Sequence, residues 1–419
     1  MRSQTALVAA TSDEITESLD DFLDRARHWL ESHAKRRDRA DPTDRWGEGS
    51  DSVALFQNMD HEQERAYVER YRSWLRAKSE AGLAHLSWER EWGGRGLPSE
   101  YERAYDGLER EFDIPGRHEV FAITLYLIAP TIRAVGTPEQ KRRHLGPMLR
   151  GDELWCQLFS EPGAGSDLAG VTTRATRADD GWIIDGQKVW TSGAQFADWG
   201  YALCRTGEVH ERHGGLTAFI VPMSAPGVEV RPLRQASGGA SFNEVFLTGV
   251  EVPDDHRLGA VGTGWRTAST TLGFERSASA GDRPTGMAAR LLALAERYGA
   301  HHDPAVRQLL VRAHIHERLL ELTDARLRGR LARGETPGPE GSIGKLAWTE
   351  GLRLYNWAAT EVLGQRLVAD TGEWGTYAWS EHVLGTAGYR IAGGSDEIQR
   401  NIIAERMLGL PRDPRSEAR

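Results

Sequence analysis

The sequence predicts an α+β multidomain chain, with a small β domain set between two helical regions. Three observations carry this. Over the first stretch, apolar residues recur at helical spacing, as in Ile15, Leu19, Phe22, Leu23, Ala26 and Leu30. Near Leu154 the segments shorten and turn signals separate them. After Gly262-Thr263-Gly264 the pattern returns to helix, rich in Ala, Leu, Arg and Glu, as far as Leu408. The predicted limits are 1–153 for the N-terminal helical domain, 154–262 for the β domain and 263–419 for the C-terminal helical domain.

The elements follow in order. Ser12-Asp13-Glu14-Ile15 opens a first helix with an acidic first turn, which suits the helix dipole. Helical patterns also cover Glu62–Ala81, Ala122–Val135 and Gln140–Arg150, with a glycine break at Gly93-Gly94-Arg95-Gly96. Asp179-Asp180-Gly181 and Asp185-Gly186 bracket a strand at Trp182-Ile183-Ile184. Thr217–Val221, Gly227–Val230 and Val245–Val252 read as further strands. Gly334–Gly341, with two prolines, is a loop between helices.

Composition narrows the function. The 419 residues are 39% hydrophobic, enough for a sizeable core, and carry a net charge of −9. That charge argues against nucleic acid or an anionic membrane as main partner. Cys156 and Cys204 are too few for a disulfide framework and fit no metal spacing, which points to a reducing, cytoplasmic setting. The start lacks the apolar core of a signal peptide, and Val120–Pro130, the longest apolar stretch, is about half a membrane span.

Five separate segments resemble the acyl-CoA dehydrogenase family, in the right order. They are Leu86–Gly96, Gly136–Lys141, the flavin signature Phe159-Ser160-Glu161-Pro162-Gly163-Ala164-Gly165-Ser166-Asp167, Gly186–Ser192 and Ile391–Arg400. The resemblance implies a β-barrel-like middle domain, a C-terminal four-helix bundle, and FAD between domains of a homo- or hetero-oligomer, dimer or tetramer. It assigns Phe159, Ser160, Gly165, Ser166, Trp190, Thr191, Ser192, Ser395 and Glu397 to the cofactor. Ser160 would meet the pyrimidine edge, Trp190 would pack on the ring and Ser192 would lie near N5. Ser166, Arg276, Gly393 and Gly394 would meet the substrate. Taken singly, Ser160–Gly163 also reads as an ordinary turn and Trp190 as a core residue. Ser395 is a good N-cap in any case.

The reaction implied is α,β-dehydrogenation of an acyl-CoA or acyl-carrier thioester, with electrons passing to an electron-transfer flavoprotein. A base must take the α-proton, and buried donors must stabilise the enolate. Many members place a glutamate where this chain has Gly393. Members resembling the isovaleryl and long-chain types carry it earlier, directly before an arginine, as in Leu272-Gly273-Phe274-Glu275-Arg276. Glu275 is therefore the expected base, although a Glu-Arg pair alone also reads as a solvated helix face.

Two flavin elements depart from the common form: Glu296-Arg297-Tyr298-Gly299, and Glu361-Val362-Leu363-Gly364-Gln365, where a glutamate stands in the place of a glutamine. Such departures resemble actinobacterial-type enzymes built from two different subunits, some acting on bulky steroid-derived thioesters. Gly281-Asp282-Arg283-Pro284 is expected to interrupt the base-bearing helix. Two other readings stand beside this one: an oxygen-using oxidase or monooxygenase on the same scaffold, or a subunit that completes a partner's FAD site.

Overall fold

The computed structural model describes residues 17–37, 53–56, 58–278, 286–333, 338–368 and 376–412. Its N-terminal helices are α1 (Leu19–His33), α2 (His61–Glu80) and α3 (Ser99–Glu109). The predicted start at Ser12–Ile15 lies outside the described residues. Within them, α1 begins at Leu19 because Ser18 caps it, accepting from the Asp21 N–H. Asp60 and Gln63 form a full capping box on α2. A two-residue strand, β1 (Lys35–Arg36), pairs antiparallel with β2 (Phe112–Asp113).

The apolar stretch around Val120–Pro130 is one helical rod in three parts: α4 (Glu119–Ala122), a π-helical segment Ile123–Ile128 and α5 (Ala129–Val135). Pro130 explains the widening. It has no N–H, and its ring would strike the carbonyl four residues back. The helix relieves this upstream, where the Ala129 N–H bonds five residues back to Thr124. The next helix, α6 (Pro138–Arg150), opens with a Thr137/Gln140 capping box and ends at Gly151, whose φ of +73° suits glycine.

The β domain holds β3 (Trp155–Leu158), β4 (Arg174–Arg177), β5 (Gly181–Ser192), β6 (Trp199–Arg205), β7 (Leu216–Pro222), β8 (Val228–Leu233), β9 (Phe242–Pro253) and β10 (Arg257–Leu258). The sheet order is β10-β7-β6-β4-β5-β9-β8, with β3 added to β6 in parallel. Along β6 and β7 successive residues face two different cores. Tyr201, Leu203, Leu216, Ala218 and Ile220 face the helices, while Ala202, Cys204, Phe219 and Val221 enter a second core made almost wholly of strand residues. Asp185-Gly186, expected as a turn, is instead an irregularity inside the long β5, where the register with β9 shifts between Ile184 and Gly186. A side chain at Gly186 would meet Thr173 Oγ1 at 2.5 Å, so the strand passes only with glycine there.

The C-terminal region comprises α7 (Gly264–Ala278), α8 (Met287–Arg297), α9 (Pro304–Ala332), α10 (Gly341–Leu363), α11 (Thr376–Ile391) and the short α12 (Asp396–Ile402). Helices α8 to α11 share one core, with Leu291, Leu309, Tyr355 and Trp379 among its members. Helix α7 instead packs on the β domain: Thr271 Oγ1 lies 2.9 Å from Thr131 Oγ1 and bonds the Tyr201 hydroxyl at 3.4 Å. Gly281–Pro284 lies outside the described residues. Among the described residues, no helix is long and apolar enough to cross a membrane.

Candidate active site

The signature Phe159–Asp167 leaves β3 as a tight turn. Glu161 and Ala164 exchange backbone hydrogen bonds of 2.9 and 3.0 Å, and Pro162, Gly163, Gly165, Ser166 and Asp167 stand exposed. A side-chain carbon added at Gly163 or Gly165 would meet nothing within 4 Å. Phe159 differs from these. Its ring is buried against Tyr201 at 5.0 Å, and its carbonyl accepts from Lys188.

The turn is fixed from behind by a buried ion pair. Lys188 Nζ donates to Glu161 Oε1 at 2.8 Å, to the Leu203 carbonyl at 2.7 Å and to Phe159 O at 3.1 Å. All three ammonium protons therefore have acceptors. The other Glu161 oxygen accepts from the Thr172 N–H and hydroxyl, and Thr173 N–H bonds Oε1 at 2.9 Å. Burial alone would raise the Glu161 pKa. The Lys188 charge and these hydrogen bonds outweigh it and hold the carboxyl at about 2.

Strand β5 then carries Trp190, Thr191 and Ser192 past the turn. Register with β9 slips again between Lys188 and Thr191, and Val189 N–H bonds the Ser160 carbonyl at 2.9 Å. This bulge puts Trp190 at φ +61° and leaves it 64% exposed, edge-on to Phe242 at 6.2 Å. Bulges of this kind re-aim a side chain beside a functional site. Thr191 is buried, and its hydroxyl has no hydrogen-bond partner among the described residues. An open turn, an outward indole and an orphaned buried hydroxyl fit a flat, polar-edged ring such as a flavin.

The third component comes from the C-terminal region. Gly393 and Gly394 take φ of +64° and +83°. Gln399 Nε2 donates to both of their carbonyls, at 3.0 and 3.1 Å. Ser395 caps α12, accepting from the Ile398 N–H at 3.4 Å, and Glu397 is exposed. Glu275, half-buried on α7, reaches this loop: a side-chain carbon on Gly393 would stand 3.0 Å from its Oε1. The side chain of Arg276 lies outside the described residues.

A buried cluster behind this loop was not expected. Asp396, 1% exposed, accepts from Thr349 Oγ1 and Arg390 Nε, both at 2.7 Å, and faces Lys345 Nζ at 3.5 Å. Burial would raise Asp396, but these donors hold it below its ordinary range. Burial lowers Lys345, against the pull of Asp396 and of Glu275. The one sequence signal was a lone lysine in the otherwise uncharged run Ser342–Thr349. The two departing segments lie apart from these contacts. Glu361 is exposed on α10, bonded to Trp357 Nε1 at 3.3 Å, and Tyr298 stacks under Arg366 at 4.8 Å.

Comparison with known proteins accounts for this architecture. Residues 51–152, 156–250 and 262–408 match the N-terminal, middle and C-terminal domains of acyl-CoA dehydrogenases. The acyl-CoA dehydrogenase IpdE1 of Mycobacterium tuberculosis is 41% identical over 353 residues, covering 83% of this chain and 90% of that protein. The solved Tcur3481-Tcur3483 steroid ACAD superposes with a TM-score of 0.72 at 26% identity, over 94% of this chain and 98% of that one. The ChsE4-ChsE5 complex from Mycobacterium tuberculosis gives 0.70 at 26% identity, over 97% and 99%. Matched in all three of its domains, the chain belongs to the acyl-CoA dehydrogenase family of oxidoreductases.

Proposed function

We propose that the chain dehydrogenates an acyl-CoA thioester between its α and β carbons, with Glu275 as the base. The observation that carries this is the reach of Glu275 Oε1 to Gly393. The carboxylate arrives from α7 at the loop position where a side chain is missing. In this reading the α-proton passes to Glu275, and the β-carbon loses a hydride as the carbon–carbon double bond forms. FAD, when bound, supplies the hydride acceptor. Ser160, Ser166, Trp190, Thr191, Ser192, Ser395 and Glu397 would hold it, with Gly165 giving it room and Phe159 acting through its backbone. Ser166, Arg276, Gly393 and Gly394 would hold the thioester. Electrons would leave to an electron-transfer flavoprotein, in a cytoplasmic setting. The domain limits in this reading are 1–153, 154–262 and 263–419; the turns near Gly151 and at Gly262-Thr263-Gly264 support them.

The likeness to a steroid ACAD and to the ChsE4-ChsE5 complex supports a bulky, steroid-like acyl group and a hetero-oligomer. An oligomer also has a face to use: Val311, Ile315, Leu319 and Leu322 on α9 are each more than half exposed, at helical spacing. The deciding experiment follows flavin bleaching by a panel of straight, branched and steroid-like CoA thioesters. Glu275→Gln should abolish bleaching without releasing FAD. Near-normal bleaching in that variant sinks the assignment, and substrate-driven oxygen uptake would favour an oxidase instead.

A further inference from the structure

We infer that Thr271 is a positioning residue for Glu275: through a buried chain of hydroxyls it holds the base-bearing helix α7 in place against the flavin turn. The inference rests on reading Glu275 as the base. Its geometry is independent of that reading. The chain takes one side chain from each of the three matched regions: Thr131 from 51–152, Tyr201 from 156–250 and Thr271 from 262–408. Thr271 Oγ1 lies 2.9 Å from Thr131 Oγ1 and 3.4 Å from the Tyr201 hydroxyl. All three residues are 0% exposed.

Packing does not account for these hydroxyls. Their surroundings are apolar, for Ile128, Ile132, Tyr201 and Ala268 belong to one buried core. Valine would fill the place of either threonine and leave no polar group to satisfy. A hydroxyl pair adds what an apolar contact lacks, a set length and direction between α5 and α7. Thr131 also donates to the Leu127 carbonyl at 2.6 Å, which fixes its rotamer on α5.

The two ends of the chain stand at the two halves of the proposed chemistry. Thr271 and Glu275 are four residues apart on α7, so they share a face and lie about 6 Å apart along the axis. A turn or slide of α7 at Thr271 therefore moves the carboxylate. At the other end, the Tyr201 ring packs edge-on to Phe159 at 5.0 Å, and Phe159 opens the signature turn that Lys188 holds. The α-proton and the β-hydride leave adjacent carbons of one thioester, so the base must keep its place relative to the flavin turn. The hydroxyl chain ties the helix that carries the base to that turn.

The test uses the FAD-loaded, full-length protein and a CoA thioester that bleaches it. Thr271→Val should slow bleaching at saturating thioester by about tenfold or more, with FAD occupancy and the half-saturating thioester concentration unchanged. Thr271→Ser restores the hydroxyl and should recover the rate. Thr131→Val removes the same bond from its other end and should also be slow. The two valines together should be no slower than the worse single change, because they remove one interaction. A Thr271→Val protein at the wild-type rate, a Thr271→Ser protein as slow as Thr271→Val, or effects that add in the double variant overturn the inference while Glu275 stands as the base. Near-normal bleaching in Glu275→Gln overturns both.

Discussion

Replacing Lys188 by methionine is expected to cost the folded protein about 3 kcal/mol and to weaken its hold on FAD. The figure comes from Glu161. Its carboxyl falls from an ordinary 4.5 to about 2, and its side chain is only 4% exposed. At about 1.4 kcal/mol per unit, the ionised form is favoured by roughly 3 kcal/mol in the fold. Removing one partner of a buried pair costs about 3–5 kcal/mol by mutagenesis elsewhere, which agrees. Methionine matches the length of the stem but leaves the Leu203 and Phe159 carbonyls without their donor. Urea unfolding at neutral pH measures the loss, and flavin absorbance after gel filtration measures occupancy. The pH dependence gives a second check. A carboxyl depressed in the fold contributes stability above its unfolded pKa of about 4.3, and that stability fades as pH falls towards 2. This acid slope should shrink in the variant. A loss below about 1 kcal/mol with full FAD occupancy would refute the argument that this pair holds the signature turn.

Two further outcomes can be checked. Gly393→Ala places a methyl 3.0 Å from Glu275 Oε1 at φ +64°, a conformation that costs an L-residue about 1–2 kcal/mol. Flavin bleaching should slow by about tenfold while FAD stays bound, the kinetic equivalent of about 1.4 kcal/mol; an unchanged rate would mean the loop has room to spare. Burial also lowers His382 and His85 to about 4. Histidines depressed in this way favour the fold above an unfolded pKa of about 6.5 and lose that contribution as pH falls through 4. His85→Asn tolerates the native φ of +49°, so it should flatten the urea midpoint between those pH values; an unchanged slope would remove His85 from the acid response.

Much of the site was legible because its markers are local. The order helix, sheet, helix followed from periodicity, and Glu275 and Gly393, both named from the sequence, lie close enough that a side-chain carbon on Gly393 would stand 3.0 Å from Glu275 Oε1. What escaped depends on partners distant in sequence. Asp185-Gly186 has the composition of a turn, yet pairing with β9 draws it into β5, and the glycine answers the approach of Thr173. The bulge that turns Trp190 outward arises because Val189 leaves β9 to bond Ser160, a contact no window of neighbours contains. Glu161 passed as one letter of a signature, because Lys188 lies 27 residues on. Lys345 and Asp396 are likewise an ordinary lysine and a first-turn helix acid until α10 and α12 are set side by side.

These missed residues share a position. Three segments expected to meet the ligand have a buried polar network directly behind them. Ser160 has Glu161 and Lys188; the Thr191 carbonyl has Asn243, Gln195, Glu64 and His118; the Gly393-Gly394 loop has Asp396, Thr349, Arg390 and Lys345. Apolar side chains would fill those spaces at lower desolvation cost, so stability alone is a poor reason for them. Direction is a better one. A hydrophobic contact fixes volume, whereas a saturated set of hydrogen bonds fixes the orientation of a turn to a fraction of an ångström. In the proposed reaction three segments far apart in sequence converge on one flat ring and one α-carbon, and a small misplacement of any of them would slow the chemistry steeply. The networks are best understood as the rigid backing of an open site.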